Sequence, residues 1–141
     1  MGTPHYVAPE QADPDREVDT RADVYALGAI LYELLAGSPP YEPSVLRALG
    51  TDEARRRIRE EVPERPSHRL QRAGKRTPTL PVSDDLDWIT LKALEKDPAR
   101  RYQSAAELAE DIERSLRHEP VLASPPSVTY RMKKFVRRNR I

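Results

Sequence analysis

The side chains that most often do chemistry are sparse and scattered in this chain. There is no cysteine, which excludes disulfides, thiolate zinc sites and thiol nucleophiles. The three histidines, His5, His68 and His118, form no metal cluster, and no Ser, His and Asp stand at a spacing that supports a nucleophilic triad. Gly2, Gly28, Gly37, Gly50 and Gly74 are isolated, so there is no Gly-rich loop to cradle a phosphate. Lys and Arg total 24 against 23 Asp and Glu, a net charge of +1. No global field points to nucleic acid or an acidic substrate, and any basic surface must be local. One such surface is the end of the chain, where Arg131, Lys133, Lys134, Arg137, Arg138 and Arg140 occur without an acid. Read from the residues alone, the chain names no reaction.

The elements that would position any site are helical. Pro4, Pro9 and Pro14 forbid a long helix over residues 1–18 and favour an extended, turning segment. A helix follows, capped by Asp19 or Thr20, with Asp23 in its first turns and Gly37 past its end. Val24, Leu27, Leu31, Leu34 and Leu35 keep helical spacing, while Ala26, Gly28, Ala29 and Ile30 fill the other faces. A helix apolar nearly all round belongs in the middle of a core and needs packing partners on several sides. The longest apolar run, Val24 to Tyr32, is too short to cross a bilayer.

Ser38-Pro39-Pro40-Tyr41-Glu42-Pro43 breaks the chain. A weaker helix is expected after Thr51, with Ala54, Ile58 and Val62 as a narrow stripe and Arg55, Arg56, Arg57 and Arg59 as a solvated face. Val62 to Ser83, with four prolines and five basic residues, reads as a mobile loop. A third helix is expected over roughly Asp84 to Lys96, facing inward with Leu86, Ile89, Ala93 and Leu94 and ended by Asp97-Pro98. The fourth opens on a capping box, Ser104 with Glu107, and lays Ala105, Leu108, Ala109, Ile112 and Leu116 along one apolar face. After Pro120 the apolar pattern stops.

Three segments carry a resemblance. Gly2-Thr3-Pro4-His5-Tyr6-Val7-Ala8-Pro9-Glu10-Gln11 resembles the end of the activation segment of protein kinases, closed by an Ala-Pro-Glu motif. Asp23-Val24-Tyr25-Ala26-Leu27-Gly28, running on to Leu35, resembles the central buried helix of the kinase C-terminal lobe. Leu94-Glu95-Lys96-Asp97-Pro98-Ala99-Arg100-Arg101-Tyr102 resembles the family's Asp-Pro-x-x-Arg-aromatic segment. The motifs stand in the family's order over about residues 2–117. The Arg59-Glu60-Glu61 loop and the Leu86-Asp87-Trp88-Ile89 helix look like bacterial, eukaryotic-like serine/threonine kinases, particularly those whose kinase domain precedes a membrane segment.

The resemblance implies a mainly α fold: part of a kinase C-terminal lobe over residues 1–118, with an irregular activation-segment end (1–18), a loop (62–83) and a disordered, basic, juxtamembrane-like tail (119–141). It implies that Gly2, Thr3, Pro4, Tyr6 and Val7 receive the substrate residue that follows the phosphorylated one. It implies that Glu10 and Arg101 form a buried structural ion pair and that Asp23 anchors the catalytic loop. The family's proton-accepting Asp, its metal ligands and its ATP-covering loop precede the Ala-Pro-Glu motif, so no catalytic or metal-binding residue is expected within these 141. The parent protein would use ATP and magnesium to phosphorylate Ser or Thr of protein substrates, and this chain alone is expected to be an inactive fragment. The alternative is a non-catalytic helical interaction module, a pseudokinase-like docking fragment. The tail would face an anionic membrane surface, the parent being cytoplasmic and membrane-associated through a segment after Ile141. Nucleic acid is disfavoured, since no binding motif is present.

Overall fold

The structure is a computed structural model that describes residues 8–12, 20–72 and 84–124. Among the described residues it is helical, with no strand. Six α-helices follow one another: α1 Arg21–Ala36, α2 Pro43–Leu49, α3 Thr51–Glu60, α4 Pro66–Arg72, α5 Asp84–Ala93 and α6 Ala105–Leu116. Short 3-10 turns occur at Pro9–Ala12 and Pro98–Arg100.

Helix α1 is the axis, and α4, α5 and α6 pack around it. It stops at Gly37, whose φ of 80° is open to glycine at little cost and whose N–H returns to the Glu33 carbonyl at 2.8 Å. Its start has Thr20 at the N-cap without a side-chain cap bond. One side of α1 buries Ala22, Tyr25, Ala29, Tyr32 and Ala36 with Ala8 and Leu94. Another side brings Val24 against Ile89, Ala93, Tyr102, Leu108 and Val121. A third stripe remains open: Leu27, Ile30 and Leu34 are 41%, 47% and 43% exposed. Asp23 lies on the same stripe and is exposed too.

Several expectations need correction. The segment 62–83 is not a loop throughout, because residues 66–72 form α4. Pro66 supplies a first helical position that needs no N–H. The Asp87 carboxylate, arriving from α5, accepts from the Ser67 N–H at 3.0 Å and the Ser67 hydroxyl at 2.5 Å. That cap comes from twenty residues away, so no local pattern announces it. Residues 73–83 lie outside the described residues. Helix α2 begins at Pro43, the last residue of the proline-rich break, and buries Leu46 with Tyr41 and Ile58. Helix α5 ends at Ala93, not Lys96, since the chain tightens through Glu95 N–H to Lys92 O and enters the Asp97-capped turn.

Helix α6 buries less than its apolar spacing suggests. Leu108 is buried and Ile112 partly so, whereas Ala105, Ala109 and Leu116 are exposed. The reason is that a polar residue, Asp111, takes a central place. Fully buried, it accepts from the Tyr102 hydroxyl (2.6 Å) and from the N–H groups of Leu122 (2.7 Å) and Ala123 (3.0 Å). The chain therefore stays packed beyond residue 118, with Val121 buried and the segment held as far as Ser124. In α3, Ile58 is buried and Ala54 packs beside it, but Val62 lies past the helix and is exposed. Arg55, Arg56 and Arg59 face solvent.

Candidate functional site: a buried ion pair under α1

The 3-10 turn Pro9–Ala12 carries Glu10 into the interior, where Ala8 and Pro9 are also buried. From the other end of the chain, the turn after Asp97 delivers Arg101. Asp97 starts this turn by accepting from the Ala99 N–H at 3.0 Å, and Pro98 occupies its first position. The two side chains meet face to face. Arg101 Nη1 donates to Glu10 Oε2 at 2.5 Å and Nη2 donates to Oε1 at 2.6 Å. The side chains are 0% and 2% exposed.

A guanidinium has five N–H donors, and here each finds an acceptor. Besides the carboxylate, Arg101 donates to the carbonyls of Glu95 (2.7 Å), Arg21 (3.0 Å) and Lys96 (3.3 Å). It thereby joins the N-terminal turn, the start of α1 and the end of α5. The Tyr25 ring lies 5.1 Å from the guanidinium carbon. Burial is the main reason that the Tyr25 hydroxyl titrates well above its usual range, with Arg101 opposing it. The arrangement is suited to holding segments together. A charge pair this enclosed, with its donors committed to backbone, is a poor candidate for proton transfer.

Two further clusters extend the site, and sequence reasoning missed both. Lys96 projects inward and donates to the Tyr41 hydroxyl and the Ile58 carbonyl, with its ammonium 4.7 Å from the Tyr41 ring centre. Burial pulls its pKa down from 10.5 to about 8, opposed by Glu61. Tyr41 passes the connection on by donating to the Glu61 carbonyl. Arg69 of α4 donates to Ser38 Oγ (3.1 Å) and to the carbonyls of Pro39 (3.0 Å) and Pro40 (3.2 Å), and it pairs with Glu64. It also lies over the Tyr32 ring, and the Tyr32 hydroxyl donates to the Glu64 carbonyl at 2.6 Å. Lys96 stood inside a motif already singled out, but nothing local tells that it points inward. Arg69 had no signal beyond its place in a basic stretch.

Of the residues singled out in the sequence, the structure brings Glu10 and Arg101 together. It places Asp23 on the exposed stripe of α1. Gly2, Thr3, Pro4, Tyr6 and Val7 lie outside the described residues, as do the cations from Arg131 to Arg140.

A family model for the protein kinase domain matches residues 1–112. The chain belongs to the protein kinase family. The kinase PknB of Mycobacterium tuberculosis is a serine/threonine-protein kinase 42% identical over 120 residues, which is 85% of this chain and 17% of the relative. PknB of Mycolicibacterium smegmatis is 40% identical over 128 residues, 91% of this chain and 18% of the relative. PknB of Mycobacterium leprae is 42% identical over 112 residues, 79% of this chain and 16% of the relative. This kinase chain thus spans about one-sixth of the length of these curated relatives. Its helical architecture is that of part of a kinase C-terminal lobe, and it is part of a Ser/Thr protein kinase domain.

Proposed function

We propose that this chain is the substrate-side and scaffolding part of a serine/threonine kinase whose phosphate-handling residues lie elsewhere in a longer protein. The observation that carries the reading is the buried Glu10–Arg101 pair within a chain matched to the kinase domain over residues 1–112. In this reading the pair ties the end of the activation segment to the helical lobe. Gly2, Thr3, Pro4, Tyr6 and Val7 then form the loop that receives the residue after the phosphorylated Ser or Thr. The Thr3 hydroxyl meets the proton-accepting Asp and its neighbouring Lys, and Asp23, open on α1, anchors the backbone of the catalytic loop.

The parent transfers the γ-phosphate of ATP, with magnesium, to protein hydroxyls. By the resemblance, the phosphate-covering loop and the metal ligands precede the Ala-Pro-Glu motif, and the glycines of this chain stand singly. We therefore assign nucleotide binding to the longer protein and derive no step through it. The basic run from Arg131 to Arg140 supports a tail held at an anionic membrane surface on the cytoplasmic side, because clustered cations are drawn to anionic headgroups at about 1 kcal/mol each.

The test is direct. Pure chain incubated with labelled ATP, magnesium and a protein mixture is expected to label nothing, and ATP-dependent labelling overturns the fragment reading. In the longer protein, a double-mutant cycle on Glu10 and Arg101 is expected to be strongly non-additive for phosphorylation; additive effects remove the latch. A second reading, a non-catalytic docking module, is favoured by the open Leu27–Ile30–Leu34 stripe. It wins if the longer protein, with both latch residues intact, fails to phosphorylate any hydroxyl.

A further inference from the structure

A pocket of about 400 Å³ opens between the segment 62–63, one face of α5 and the chain just after α6. Its wall is apolar where Val62, Trp88, Leu91 and Leu94 line it. Val62 is 74% exposed and Trp88 and Leu91 are half-buried, so this part of the wall is open to solvent, while Leu94 is buried. Charge on the wall is unbalanced. Arg100 and Lys92, whose ammonium lies 5.3 Å from the Tyr102 ring centre, line the pocket against a single acid, Glu95, while Lys96 is engaged by Tyr41 and Ile58. A further cation, Arg65, lies 4.5 Å over the Trp88 ring.

The exit of the chain bears on what fills this pocket. Ala123 and Ser124 line it, and Asp111 fixes that segment through the Leu122 and Ala123 N–H groups. Ser124 therefore stands at the lip of the pocket, and the sequence that follows it, residues 125–141, has six cations and no acid.

We propose that this pocket is a site for one anionic phospholipid at a membrane surface. The first acyl and glycerol carbons lie on Trp88, Leu91 and Val62, and the headgroup phosphate faces Lys92, Arg100 and Arg65. A volume of this order admits a headgroup and a few carbons, within the range of small-ligand sites. Tryptophan suits such a place because its ring is amphipathic and favours the membrane interface. The proposal rests on the membrane-facing reading of the tail and deepens it: it fixes which face of the lobe meets the bilayer and which residues touch lipid. An acidic patch or a fully paired wall would have argued the opposite.

Trp88 is the only tryptophan of the chain, so its fluorescence reports on this pocket alone. The full chain is mixed with vesicles of phosphatidylglycerol and phosphatidylcholine, the latter carrying bromine on its acyl chains. Co-sedimentation together with quenching of Trp88 is expected. Lys92→Gln with Arg100→Gln weakens partitioning by about fivefold for each cation removed. The chain lacking residues 131–141 binds less, yet its Trp88 is still quenched at saturating lipid. Co-sedimentation without quenching overturns the pocket and leaves the tail reading standing; no co-sedimentation overturns both. Quenching that the double variant leaves unchanged overturns the pocket as a headgroup site. A Trp88 shift caused by soluble glycerol phosphate as strong as that caused by vesicles assigns the pocket to a soluble anion. A Trp88 shift on deleting residues 125–141 without lipid assigns it to the chain's own tail. Either result overturns the proposal.

Discussion

Gly28 of α1 faces Ala93 of α5 at a point where the two helices nearly touch. A β-carbon at position 28 would lie 2.7 Å from the Ala93 β-carbon and 3.3 Å from the Ala93 carbonyl carbon. The glycine is needed for this approach, since the crossing sets how Val24 meets Ile89 and Tyr102. Gly28→Ala is expected to destabilise the fold by about 1–3 kcal/mol through overpacking, despite the better helix propensity of alanine. Thermal unfolding measures the loss, and the paired change Gly28→Ala with Ala93→Gly should restore part of it.

The Glu10–Arg101 pair makes an asymmetric prediction. Arg101→Met alone leaves a buried carboxylate without its partner and should cost about 3–5 kcal/mol. The apolar pair Glu10→Leu with Arg101→Met should cost much less, because no charge is then stranded. Chemical denaturation of the two variants beside the unaltered chain checks this; equal losses in the single and double variants would contradict it.

His118 is the one described residue other than glycine with a positive φ, 59°. It follows Arg117, the C-cap of α6, in a double-bonded helix stop: Glu119 N–H donates to Arg114 O at 2.8 Å and His118 N–H to Ser115 O at 3.2 Å. A left-handed conformation costs an ordinary residue about 1–2 kcal/mol, so His118→Gly should raise the melting temperature. An unchanged or lower value would show that the imidazole makes a compensating contact.

Stability should depend on alkaline pH in two opposed ways. Burial holds Lys96 at about 8, below its usual 10.5, so between these values the unfolded chain binds more protons and stability rises with pH. Burial pushes Tyr32 up to about 12, so above pH 10 the unfolded chain loses its proton first and stability falls. Tyr25, Tyr41 and Tyr102 are raised in the same direction. Urea midpoints across this range should therefore peak near pH 10, and Lys96→Met should flatten the rising limb only.

The open stripe of α1 predicts self-association. Leu27, Ile30 and Leu34 are apolar, exposed and one or two turns apart, a surface that invites contact. Light scattering of the chain should show concentration-dependent growth, reduced by Leu27→Ser with Ile30→Ser. A monomer at high concentration would contradict it.

The features the sequence determined by itself are those with local causes. Gly37 stops α1 because only glycine takes that turn at little cost. Ser104 starts α6 by accepting from the Glu107 N–H, and Glu107 returns to the Gln103 N–H, both within one turn. Asp97 and Pro98 end the α5 region for the same kind of reason. Motif order marked the chain as kinase-like, since the motifs are short and contiguous. Tertiary structure decided what depends on distant partners. Helix α4 exists inside a proline-rich stretch because Asp87 caps it from α5. Asp111 interrupts an apolar face because its carboxylate meets backbone N–H groups past the helix end. Glu10 and Arg101 are 91 residues apart, and only the packing of the N-terminal turn, α1 and α5 brings their atoms within hydrogen-bond range. Which side of α1 is covered is likewise set by what packs on it, because its apolar residues run nearly all the way round.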